Sequence, residues 1–172
     1  MEKITKAQYL LAKEVGRGRH EQNTLRREAS GDKRARLSLE TDQIGALGEI
    51  CFANYIGENP TYNDLVLPWQ EFNTKKHEIA DVGDEWEVKT ITDPRYNLVC
   101  EANGLYDSKL NRKYVLIYLD LSNKMYEVKG YIMGHQFKNP AIAALKPARS
   151  ASQPAHYLVY TKHLTPLKKE NI

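Results

Sequence analysis

Between His77 and Thr90 the chain reads HEIADVGDEWEVKT, and this stretch constrains the fold more than any other. Apolar and polar residues alternate, the alternation breaks at Gly83-Asp84, and it then resumes, which is the pattern of a β-hairpin. In the second arm Glu85, Glu87 and Lys89 share one strand face, and Trp86 and Val88 share the other. Two carboxylates and a lysine on one face are costly to bury without compensation. They are also what a divalent-metal site needs.

The register of that hairpin decides which acids meet. With a strict two-residue loop at Gly83-Asp84, Asp81 would stand opposite Trp86 and face away from Glu87. A three-residue loop over Val82–Asp84 instead sets Asp81 opposite Glu85, on the face of Glu87 and Lys89. The latter register is expected. It brings together Asp81, Glu87 and Lys89, the last two about 6.5 to 7 Å apart along the strand. Carboxylates on neighbouring strands can hold Mg²⁺, which takes oxygen ligands, keeps waters and binds substrate phosphate. A lysine beside them can orient an attacking water and offset charge growing on a phosphodiester. Its carboxylate neighbours would hold it protonated, which argues against Lys89 as a general base.

The rest of the chain supplies a frame. A helix is expected over about Glu40 to Tyr55, with Thr41 as N-cap, Asp42 in its first turn and Gly57 as its stop. Ile44, Leu47, Cys51 and Tyr55 form its apolar stripe, and Glu49 lies beside it. Gly45 and Gly48 each weaken a helix by about 1 kcal/mol relative to Ala, which suggests close packing there against a strand or ligand. Residues 1–16 form a short helix ended by Gly16 and Gly18. Residues 58–70, with Pro60 and Pro68, read as a loop anchored by Trp69 and Phe72. Tyr114–Leu119 (YVLIYL) is continuous rather than alternating, as in a strand buried on both faces. Met125–Ile132 returns antiparallel to it, and Asn97–Cys100 and His156–Tyr160 are further strands. Residues 140–148 are an alanine-rich helix or turn, and 101–113 are polar. The order implies an α/β or α+β domain with a mixed sheet of about five or six strands.

Charge adds a partner class. The formal net charge is only +3, but between Arg17 and Arg36 seven basic residues (Arg17, Arg19, Arg26, Arg27, Lys33, Arg34 and Arg36) stand against three acidic ones. Arginine forks suit phosphates, so residues 1–38 read as a basic arm of the same domain, with the core over 39–172. A solvated helix surface is the plainer alternative. Cys51 and Cys100 have neither disulfide-framework nor metal spacing, and no apolar run approaches the roughly 20 residues of a membrane span. A cytoplasmic, reduced protein is expected. Dinucleotide-binding and P-loop fingerprints, Ser-His-Asp arrangements and zinc-finger spacings are absent.

Asp81 followed by Glu87-Val88-Lys89-Thr90 resembles the signature of the PD-(D/E)xK nuclease superfamily, and Gly45-Ala46-Leu47-Gly48-Glu49 resembles the helical glutamate motif of many members. Tyr114–Ile117 and Tyr126–Met133 are similar to strands of small phage and prophage members. The resemblance spans about residues 41–135. It implies a restriction-endonuclease-like fold, a central mixed sheet flanked by helices, and a nuclease, in the first place an endonuclease, that hydrolyses DNA with Mg²⁺ or Mn²⁺. Asp81 and Glu87 would be metal ligands, Glu49 would complete the acidic cluster, and Lys89 would position the attacking water. A homodimer would let such an enzyme cut two strands, although no two-fold surface is identifiable. Ala80 stands where members carry proline, and the Asp81–Glu87 spacing is short. The competing expectation is an inactive fold relative serving as a DNA-binding or protein-interaction module. Around the centre, His77 and Glu85 are peripheral candidates. Lys109, Arg112 and Lys113 could extend a phosphate surface, and Tyr96 and Tyr106 could stack on an unpaired base.

Overall fold

The computed structural model describes residues 1–30, 38–70, 79–150 and 154–169, and the side chains of 26–30 and 67–70 lie outside that description. Three helices come first, apart from a two-residue strand β1 (Glu2–Lys3): α1 (Lys6–Ser30), α2 (Leu39–Tyr55) and α3 (Tyr62–Gln70). The remaining strands are β2 (Trp86–Ile91), β3 (Leu98–Glu101), β4 (Lys113–Asp120), β5 (Met125–Met133), β6 (Ala143–Lys146) and β7 (His156–Val159).

They form two sheets. One is mixed, in the order β1-β5-β4-β2, with β2 parallel to β4 and β5 antiparallel to both β4 and β1. The other is antiparallel, in the order β3-β7-β6. Strand β4 explains the layering. Val115, Ile117 and Leu119 on one face join a core with Ala12 and Val15 of α1, Leu47, Ile50 and Phe52 of α2, and Leu65 and Val66 of α3. Tyr114 and Leu116 on the other face join a second core with Leu98, Cys100, Phe137, Ala143 and Val159. The fold is therefore α+β: helices cover one face of the mixed sheet and the small sheet covers the other. The continuous apolar run of β4 is the sequence signature of a strand buried on both faces.

Several elements differ from expectation, each for a physical reason. Helix α1 runs through Gly16 and Gly18. A side chain at Gly16 would meet the Gln43 backbone at 2.6 Å, and one at Gly18 would meet the Tyr62 ring at 3.3 Å from Cζ. The glycines are where α1 approaches α2 and α3, and that packing offsets their helical cost. The N-cap of α2 is Ser38, whose hydroxyl accepts from the Thr41 N–H at 3.1 Å; Asp42 is buried against His20, 2.8 Å away. Residues 62–70 are helical despite Pro68. Thr61 and Asp64 cap that helix reciprocally, the Asp64 carboxylate accepting from the Thr61 N–H at 2.7 Å and the Thr61 hydroxyl accepting from the Asp64 N–H at 3.4 Å. The alanine-rich segment pairs with β7 as β6, so sheet pairing overrides helix propensity there. The single sheet expected is two sheets. Trp69, Phe72 and the start of the first hairpin arm, up to residue 78, fall outside the described residues or side chains.

Candidate functional site

The site forms on β2, which lies at the edge of the mixed sheet. Trp86 and Val88 point into the helical core, where the Trp86 ring meets Phe52 and Tyr131 edge-on at 4.9 and 5.6 Å. By strand alternation Glu87 and Lys89 point the other way, towards the layer of the small sheet.

Among the described residues the first hairpin arm is not a strand. A tight turn replaces it. Val82 bridges Trp86, leaving a three-residue turn over Gly83, Asp84 and Glu85. Gly83 has φ +54°, a left-handed conformation that glycine adopts without cost. The loop thus has the expected odd length but lies one residue further on than expected. Shifting both ends together preserves parity, so Asp81 comes to the Glu87 and Lys89 positions. Its N–H donates to the Trp86 carbonyl at 2.9 Å. Its Oδ2 accepts from the Val88 N–H at 2.8 Å and lies 4.0 Å from Lys89 Nζ. Asp81 therefore caps the open edge of β2 and faces the lysine at once.

Glu49 arrives from the opposite direction on α2. Its neighbour Gly48 lets the helix press against β2, because a side chain there would overlap the Thr90 hydroxyl and come within 2.9 Å of Thr90 Cβ. The suspicion of close packing at Gly48 is thereby explained. Gly45 has open space around it. Both oxygens of Glu49 accept from Arg19, at 2.7 and 2.6 Å, and the same guanidinium donates to the Leu65 carbonyl. This pair is buried. Burial opposes the charge on Arg19, but the Glu49 charge outweighs it and raises the guanidinium pKa; burial also pushes the Glu49 carboxyl up, despite Arg19.

Glu87 is 2% exposed and has cationic partners on both oxygens: Arg112 Nη1 on Oε1, and Lys109 Nζ on Oε2 at 2.9 Å. Arg112 also donates to the Ile79 carbonyl. Above this cluster the buried Tyr114 hydroxyl lacks a hydrogen-bond partner among the described residues.

Lys89 is the meeting point. Burial works against its ammonium, but the charges of Asp81 and Glu87, with smaller contributions from Cys100 and Glu49, overcome it and raise its pKa. Asp81, 4.0 Å from its ammonium, is the acid that the structure brings next to Lys89. Among the described residues, however, no group of three or more His, Cys, Asp or Glu side chains is arranged to hold a metal ion. Two of the acids are instead neutralised by cations. Spacing in the sequence could not reveal this. Arg19, Lys109 and Arg112 stand out only once it is asked which cations must accompany Glu49 and Glu87 into the interior.

The basic arm is distributed differently from expectation. Arg19 is 4% exposed and faces Glu49, so it does not reach a phosphate. Arg17 is exposed on α1 near Glu14, Glu21 and Tyr62. Arg26 and Arg27 lie in α1 with side chains outside the description, and Lys33, Arg34, Arg36 and His77 lie outside the described residues. Lys113 pairs with Glu85 at 2.6 Å rather than extending a phosphate surface. Tyr96 is 60% exposed. No described helix is long and apolar enough to cross a membrane. Scans of protein families, curated proteins and solved structures find no match to this chain.

Proposed function

We propose that this chain is a metal-dependent nuclease of the PD-(D/E)xK kind, an endonuclease hydrolysing DNA phosphodiesters with Mg²⁺ or Mn²⁺. One observation carries the reading: the Asp81 carboxylate, held at the edge of β2 by the Val88 N–H, lies 4.0 Å from Lys89 Nζ on the strand face that Lys89 shares with Glu87.

The donor chemistry fits a hard cation in part. Asp81 keeps a 28% exposed side chain, and Glu87 adds a second carboxylate. Mg²⁺ commonly uses one or two carboxylates, with waters and substrate phosphate completing its shell, so Asp81 and Glu87 would suffice as holders. Bound there, the ion would supply Lewis acidity to the phosphoryl oxygens. Lys89, kept protonated by its neighbours, would donate hydrogen bonds to the attacking water and to the phosphoryl group as charge grows. Lys109 and Arg112 position Glu87, and the Arg19–Glu49 pair locks α2 beside the site.

Cation pairing of Glu49 and Glu87 favours a second reading, in which the fold is an inactive module that binds DNA or protein. Incubation with plasmid and linear DNA in Mg²⁺, Mn²⁺ or EDTA separates the two. Metal-dependent cutting is expected, and Lys89→Met and Asp81→Asn should each abolish it while circular dichroism shows that each variant still folds. Asparagine retains an acceptor for the Val88 N–H, so Asp81→Asn should also weaken Mn²⁺ binding by calorimetry without unfolding the edge. Undiminished cutting in both variants would remove the site assignment. Binding without cutting under any metal would select the module.

A further inference from the structure

We infer that an unpaired nucleic-acid strand leaves Lys89 along a trough over the outer face of the small sheet. This track rests on the nuclease reading for its starting point and is otherwise independent of it. Lys89 opens onto a cleft of about 350 Å³ whose far wall includes Tyr96, Val99 and Leu158. Val99 and Leu158 also line a second cleft of about 540 Å³ that reaches Lys146, Arg149 and His156. The two clefts therefore adjoin at Val99 and Leu158.

The strands dictate the character of this path. Along β3, Leu98 and Cys100 are buried whereas Val99 and Glu101 are exposed. Val99 stands beside Leu158 and Glu101 beside His156, so the outward positions form an apolar floor with a polar end. Val99 is 40% exposed, and Tyr96 at the Lys89 end is 60% exposed. At the other end Lys146 and Arg149 are exposed and have no ion-pair partner among the described residues. Among the described residues Glu101 is the single acid lining these clefts.

An apolar floor with an exposed ring and cations at both ends selects among nucleic-acid forms. A duplex presents phosphates outward and hides its bases, so it has nothing to lay on Val99 and Leu158. An unpaired strand offers bases for the floor and for Tyr96, and phosphates for Lys89, Lys146 and Arg149. This placement also answers where phosphates are held, given that Arg19 is committed to Glu49. The preferred substrate is then single-stranded DNA, or a single-stranded tail on a duplex.

The test is anisotropy of a labelled thymidine 12-mer, and of a duplex of equal length, with the full chain in EDTA at low salt. The unpaired strand should bind more tightly than the duplex. Tyr96→Ala should weaken it roughly 5- to 150-fold, as loss of one stacking platform does. The double variant Lys146→Glu with Arg149→Glu should weaken it further and flatten its salt dependence. Circular dichroism melts of the same variants confirm folding, since both sites are exposed. Preference for the duplex, no binding of the 12-mer, or variants that bind like the parent would each overturn the track. A peptide or protein ligand displaced by none of these oligonucleotides would do the same. Metal-dependent cutting, read on the same proteins and oligonucleotides with Mg²⁺ in place of EDTA, keeps the two proposals apart. Cutting without the binding pattern removes the track alone, and the binding pattern without cutting removes the nuclease alone.

Discussion

At the residue scale, Lys89 and Arg19 carry opposite kinds of information. Lys89 is a charge kept in place by acids that surround it. Its folded pKa is raised above the ordinary lysine value of 10.5. Stability from this group is therefore fully present below about pH 10.5 and is lost as pH rises through the raised value. Urea melts between pH 8 and 11.5 should show Lys89→Met losing less stability than the parent at the alkaline end; parallel curves would mean that the acids do not act on it. The same shift keeps the ammonium charged at neutral pH, consistent with a role in orienting water rather than removing its proton. Arg19 is a different case, because its whole guanidinium is spent on Glu49 and the Leu65 carbonyl. Arg19→Met leaves Glu49 buried without its partner, and should cost about 3–5 kcal/mol at neutral pH by denaturant unfolding. Part of that loss should return in acid, because a carboxyl whose folded pKa is raised gains stability as pH falls through that value. A cost below 1 kcal/mol would show that the pair is solvated.

The cysteines complete this scale. Burial pushes the Cys51 thiol up to about 12 and raises that of Cys100 as well. Little thiolate exists at neutral pH, and neither sulfur is accessible. A chromogenic disulfide reagent should therefore label neither thiol in the native protein within minutes and both in denaturant. Rapid native labelling would contradict the packing of α2 and β3.

Among elements, the contact of α2 with β2 matters most, since it brings Gly48, next to Glu49 in the chain, against Thr90 of the strand that carries Glu87 and Lys89. Gly48 makes that contact possible. Gly48→Ala would force its methyl into Thr90 and should destabilise by about 1–3 kcal/mol, despite alanine's better helix propensity. Adding Thr90→Ala should restore part of the loss in thermal melts. A stabilised single variant would mean that helix and strand stand further apart. This contact was legible in the sequence as a helix with two unfavourable glycines, but which of the two touched the strand was not. The long strand β4, the return of β5 and the span of α2 were legible from periodicity because their burial is regular. Helix α3 was hidden by Pro68, although Thr61 and Asp64 spell a capping box. Strand β6 was hidden because its alanines say nothing about sheet pairing until β7 is beside them. The turn at Gly83 kept the parity that mattered while its register moved by one residue, which is the usual limit of reading a loop from one glycine.

For the whole molecule, the three layers place an edge strand between a helical core and a second sheet, and the charged residues of that strand emerge where the layers part. The acids were legible as residues, and so was the face they share. Their cations were not, because Arg19, Lys109 and Arg112 are 30, 22 and 25 positions away from the acids they meet. Nor was the exit path, since it depends on β3 and β7 becoming neighbours. The central claim is that Asp81 and Glu87 jointly hold a divalent ion next to Lys89. Its most direct test is a crystal structure with Mn²⁺ and its anomalous difference map. A peak within coordination distance of both the Asp81 and Glu87 carboxylates, with Lys109 or Arg112 displaced from Glu87, is the predicted result. Saturating Mn²⁺ with no peak at these two residues, and both cations still on Glu87, would contradict it.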